Sequence, residues 1–176
     1  ATYGEGVIYE NWYGKTSYDN YIASEMSSAR NAVGTIWVQD ISNVNQIFNG
    51  NRTYSKGCVV LHMLRGVVGD STFFNILKSY TANPSVRYGV ATTEDFQAIA
   101  ESVSGIDLNY FFQQWIYGEK YPKYHSGFSK SLISGNTWNL SLLINQDANT
   151  NPVYFTMPIQ IKVTRASGDT IVTVFN

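Results

Sequence analysis

The sequence predicts an α+β chain. An all-helical part of about six helices covers residues 1–121, and a small antiparallel β-sheet over residues 122–176 starts a β-sandwich. Two observations carry this. Apolar residues recur at three- and four-residue spacing up to about Tyr121, and beyond it they alternate with polar residues. The change of period is abrupt and has no long flexible linker, so the two parts are expected to pack together.

Val7, Ile8 and Trp12 mark a first helix ending at Gly14. Tyr18, Tyr21, Ile22, Met26 and Ala29 follow helical spacing in a second. A third runs from about Tyr54 to Val68, with Val60, Leu64, Val67 and Val68 on one face. Asp70 is the expected N-cap of a fourth, which carries Phe73, Phe74, Leu77 and Tyr80 and stops before Pro84. Thr92 and Asp95 have the spacing of a capping box, ahead of Phe96, Ile99, Ala100 and Val103. Asp107 can cap a sixth helix holding Leu108, Phe111, Phe112, Trp115 and Ile116, which Gly118 and Pro122 end. Then Trp138, Leu140, Leu142 and Ile144 alternate with polar residues, as do Phe155, Met157, Ile159, Ile161 and Val163. Ile171 to Phe175 is a further β-rich run, and Gly135-Asn136 and Ser167-Gly168-Asp169 read as turns. One buried face is expected for this sheet. Its last strand leaves unpaired backbone groups, which invite self-association through the exposed edge.

Composition narrows the function classes. The net charge is −1, without a basic stripe, which argues against nucleic acid. The apolar runs are too short to span a bilayer, so no membrane-spanning segment is expected. Ala1 is not an initiator methionine, and no signal peptide follows it, so the chain is expected to begin inside a longer protein or after a processing event. Cys58 is the sole cysteine, which excludes an internal disulfide. Many Tyr, Asn, Ser and Thr residues with few charges lean towards an extracytoplasmic setting, while the compartment stays open.

The richest segment for chemistry is Arg52 to Arg65, RTYSKGCVVLHMLR. A Tyr-x-Lys-Gly turn opening a buried helix places the Tyr54 phenol at a helix N-terminus, where the local potential favours developing negative charge. A phenol there can donate to an oxyanion. From the residues alone, a tyrosine that only packs on the turn explains the pattern as well. Cys58 and His62 share a helix face at i, i+4, but with His125 they complete the inventory of strong ligands besides carboxylates. A catalytic zinc usually needs three ligands, so no metal site is expected in this chain. No Gly-x-Ser-x-Gly elbow and no phosphate-binding glycine loop are present.

Four segments, in order, resemble the C-terminal half of the catalytic domain of zinc aminopeptidases related to aminopeptidase N and leukotriene hydrolase, the gluzincin metallopeptidases. They are Ala1-Thr2-Tyr3-Gly4-Glu5; Tyr54-Ser55-Lys56-Gly57 with Val60 to Arg65; Val68-Gly69-Asp70 with Phe73-Phe74 and Leu77 to Tyr80; and Thr92 to Phe96 with Asp107-Leu108, Phe111-Phe112, Gln114 to Gly118 and Tyr121-Pro122. The segment from Phe155 to Ile161 resembles the start of the family's following β-sandwich domain. In that family Ala-Thr-Tyr-x-Glu directly follows the third zinc ligand, and the His-Glu-x-x-His helix lies earlier still. The resemblance thus implies a fragment of a peptide-hydrolysing zinc enzyme, inactive alone, whose zinc ligands lie outside it. Its partners would be the remainder of the catalytic domain and a peptide substrate. Tyr54 aligns with the tyrosine that stabilises the oxyanion. Glu5 would support the metal ligand from behind, or else is a solvated or capping carboxylate. Lys56 and Arg65 are expected to be structural. The alternative is a catalytically silent helical-plus-β module used for binding or as a scaffold.

Overall fold

The computed structural model describes residues 1–147 and 150–175. Asn176, the end of the predicted β-rich part, lies outside the described residues. The helices are α1 (Thr2–Tyr13), α2 (Lys15–Ala29), the short α3 (Val44–Ile47), a π-helical turn (Gly50–Lys56) that runs into α4 (Gly57–Val68), α5 (Asp70–Ala82), α6 (Thr93–Ser104) and α7 (Asn109–Trp115). Strands β1 (Tyr124–Ser134), β2 (Thr137–Gln146), β3 (Pro158–Arg165) and β4 (Gly168–Phe175) follow. The predicted α+β class is the observed one.

Helix punctuation follows the backbone. Gly14 and Gly69 both have φ of 83° with extended ψ, a combination essentially closed to residues with a Cβ. Each turns the chain in one residue, so α1 packs on α2 and α4 on α5. The Thr92–Asp95 capping box forms as predicted. Asp70 is not the N-cap expected of it: Gly69 holds that position, and Asp70 begins α5 with its carboxylate 2.5 Å from Arg65 Nε. Asp107 also stands one residue ahead of the cap position, which Leu108 occupies; its Oδ1 still accepts from the Asn109 N–H at 2.9 Å.

The core is aromatic and aliphatic. Phe73, Ile76, Ala100, Leu108 and Phe111 are fully buried, with Tyr3, Ile22, Val60, Leu64, Phe112 and Trp115 around them. The predicted faces of the second to sixth helices supply most of these side chains. The first helix exists, but it turns Ile8 and Trp12 to solvent and buries Tyr3 and Gly6 instead. Gly6 is where α1 crosses α2: a Cβ there would stand 3.1 Å from the Tyr21 ring.

The β part departs from the expected single sheet with one buried face. It consists of two separate antiparallel hairpins, β1–β2 and β3–β4. β1 adds a strand that the alternation did not reveal, and Gly135 and Gly168 sit in the two turns with positive φ. Phe155 and Met157, expected in the third strand, lie before it; Phe155 is 1 % exposed and packs at a tilt on Trp115, 4.5 Å between ring centroids. Ile159, Ile161 and Val163 alternate as predicted but are only half-buried, and Trp138, Leu140 and Leu142 are exposed. A two-stranded ribbon has no neighbouring strand to widen its apolar face, so it cannot bury one alone.

A polar network ties the first helices together. The Tyr3 and Tyr18 hydroxyls lie 3.2 Å apart, and Tyr18 Oη lies 2.7 Å from His62 Nδ1. Burial first, then the charges of Arg65 and Lys15, depresses the His62 pKa below its ordinary 6.5. The unfolded chain therefore binds a proton near pH 6.5 that the folded chain resists. Stability from this site is complete above that pH and is lost as pH falls below it. Urea titrations should show the midpoint dropping from about pH 7.5 to about pH 5, and His62→Gln should flatten that dependence. An unchanged slope in the variant would take His62 out of the acid response.

Candidate functional site

Tyr54 sits within the π-helical turn, not at a helix start. Asn49 caps this turn: its Oδ1 accepts from the Arg52 N–H at 2.9 Å, and its carbonyl takes the N–H of Thr53 at 2.9 Å and of Tyr54 at 3.3 Å. The Tyr54 bond spans five residues, the π pattern. The helical run thus begins at Gly50, and the free N–H groups expected around Tyr54 belong one turn earlier. The helix-terminus potential argued from the Tyr-x-Lys-Gly pattern is correspondingly displaced from the phenol. What remains is a side chain 41 % exposed, whose hydroxyl has no hydrogen-bond partner among the described residues.

The neighbours of Tyr54 are held from several sides. One Arg52 guanidinium nitrogen donates to the Gln46 carbonyl, while Arg52 Nε and Thr53 Oγ1 are buried without a partner among the described residues. Ser55 and Lys56 are buried. Lys56 Nζ lies 3.4 Å from the Gly118 carbonyl, and burial, opposed in part by Glu119, pushes its amine down to about 8. This is the residue that sequence reasoning passed over as structural without seeing its burial; a lysine directly ahead of a long apolar run was the available signal. Gly118 has no room for a side chain, since a Cβ would stand 2.2 Å from the Gln114 carbonyl oxygen.

Glu5 lies in the first turns of α1, exposed, and accepts a hydrogen bond from the Tyr21 hydroxyl at 3.3 Å. Helix α2 packs against both α1 and the π-helical turn, so one element backs Glu5 and Tyr54. Cys58 and His62 are not brought together with a third ligand. The Cys58 thiol is pushed up to about 12 by burial and by Glu25, and His62 is engaged by Tyr18. His125 is on the exposed strand β1. Among the described residues, no group of three or more His, Cys, Asp or Glu could hold a metal ion.

The sequence of helices that carries this turn defines a class. The Peptidase family M1 domain matches residues 2–115, and the chain belongs to that family. Aminopeptidase N of Lactobacillus helveticus is 27% identical over 112 residues, covering 60% of this chain and 13% of that protein. Aminopeptidase N of Lactococcus lactis subsp. lactis is 26% identical over 115 residues, 65% of this chain and 13% of that protein. Aminopeptidase M1-C of Oryza sativa subsp. japonica is 33% identical over 85 residues, 48% of this chain and 9% of that protein. The match thus spans about an eighth or less of these curated relatives.

The Asn49 cap is testable. Asn49→Ala should cost about 1 kcal/mol, the usual value of an N-cap, and speed amide exchange at Arg52, Thr53 and Tyr54 ahead of α4. Uniform exchange along residues 52–68 would show that the cap does not hold the turn.

Proposed function

We propose that the chain is the C-terminal helical half of an M1-type aminopeptidase catalytic domain, residues 1–121, joined to part of a β-sandwich domain, residues 122–176. In the complete enzyme, Tyr54 donates a hydrogen bond to the oxyanion that forms when a peptide carbonyl is attacked. The observation that carries this reading is the family match, which runs through Tyr54, an exposed residue whose hydroxyl has no competing partner among the described residues. A donor that stands ready where charge develops needs no rearrangement, which is why such groups are worth several kcal/mol. π-Turns inside α-helices are frequent at functional sites, in keeping with this assignment.

Zinc, which the family resemblance implies, finds no ligand set among the described residues, so they do not fit it. It would be held by the remainder of the catalytic domain. Glu5 supports that part from the start of α1, with Tyr21 fixing its carboxylate. The peptide substrate lies against the Tyr54 face. The unpaired edges of the two hairpins offer a route to self-association.

In the complete enzyme, Tyr54→Phe should lower kcat for peptide hydrolysis by about 100- to 1,000-fold with an unchanged circular dichroism spectrum. Full turnover by the folded variant would reduce Tyr54 to a packing residue and favour the silent-module alternative for this segment.

A further inference from the structure

Between α2, the start of α4 and the segment that leaves α7 lies a pocket of about 190 Å³. Its walls are apolar: Met26, Ala29, Val59, Met63 and Trp115. Lys56 also lines it, only 5 % exposed, and the exposed Arg30 and Lys120 stand at its rim. Glu119, distant from Lys56 in the sequence, is the carboxylate that acts on it electrostatically, but it makes no ion pair with Lys56 among the described residues. An ammonium carries three donors. Here the Gly118 carbonyl at 3.4 Å takes one, at a distance beyond that of an ordinary N–H···O bond, and no other acceptor meets it among the described residues. A nearly sealed cation with spare donors is costly unless an anion pairs with it.

We propose that this pocket binds a short-chain monocarboxylic acid, with the carboxylate on Lys56 Nζ and the tail between Met26, Val59, Met63 and Trp115. The positive rim and floor select an anion, and the walls select an apolar body. One recessed ammonium suits a single carboxylate, whereas a phosphate calls for more converging donors than the pocket supplies. The volume leaves room for a short apolar tail together with its carboxylate. This site is separate from the Tyr54 assignment and does not depend on peptide hydrolysis.

Calorimetric titration of the 176-residue chain at neutral pH tests it, with hexanoate, hexanol, hexylamine and inorganic phosphate as the probes. Hexanoate should bind roughly tenfold or more tighter than hexanol, with no heat from hexylamine or phosphate. Lys56→Met should weaken hexanoate by roughly tenfold or more. Ala29→Leu keeps helix propensity, fills the apolar end and should weaken it as well, which decides the matter if Lys56→Met does not fold. Equal binding of hexanol and hexanoate, phosphate binding better than hexanoate, no hexanoate binding, or undiminished binding in the folded variants would each overturn the assignment.

Discussion

The helical part is organised around one guanidinium. Arg65, on α4, keeps only 11% of its side chain exposed, yet it reaches three other helices. It pairs with Glu10 of α1 at 2.6 Å and with Asp70 of α5 at 2.5 Å, and it lies over the Tyr18 ring of α2 and the Phe74 ring of α5. A largely buried cation repays its desolvation only when geometry is good and its donors are engaged. Here two carboxylates and two aromatic faces meet that condition together. Remove either carboxylate and the remaining groups face an undercompensated charge. The same site fixes how α1, α2 and α5 stand around α4, and so where the π-helical turn ahead of α4 presents Tyr54.

The parts of this arrangement that were legible in the sequence are those set by side-chain spacing. Val60 and Leu64, Phe73, Ala100, Phe111 and Phe112 are buried where their period placed them. The start of the third helix was not legible, because a π turn and an α turn bury the same apolar residues and differ only in which carbonyl each N–H finds. Asp70 was misplaced by one position for a related reason: the glycine before it offers a backbone conformation that cap statistics do not weigh, and Arg65 draws the carboxylate away. Lys56 was expected to be structural, and only its place directly ahead of a long apolar run hinted at the burial that the fold gives it. Tyr54 stood out for its neighbours, and the lack of a partner for its hydroxyl among the described residues is a property that only coordinates reveal.

Period two announces strands but not their pairing. Trp138, Leu140 and Leu142 on one hairpin and Ile161 and Val163 on the other were expected in one sheet. They instead line a common cleft of about 760 Å³ between two ribbons. In register, Leu142 faces Phe128 and Leu140 faces Lys130, while Ile161 faces Val172. Two apolar faces turned towards one cleft have the layout of a sandwich whose layers have not met. Phe155, seated on Trp115, takes one large side chain out of the strand pattern and commits it to the helices.

The π-helical turn also sets a phase. An α-helix advances about 100° and about 1.5 Å per residue, and a π turn accommodates one residue more than an α turn of the same height. The turn residues Gly50–Lys56 are therefore rotated relative to α4 by an amount that a regular helix would not give. Deleting Ser55, between Tyr54 and α4, would restore an even helix and swing the Tyr54 ring by about 100° around the axis while leaving Val60 and Leu64 in place. Side-chain identity could be kept throughout and the phenol would still face elsewhere. The orientation of that hydroxyl is thus stored in the length of the segment as much as in its residues.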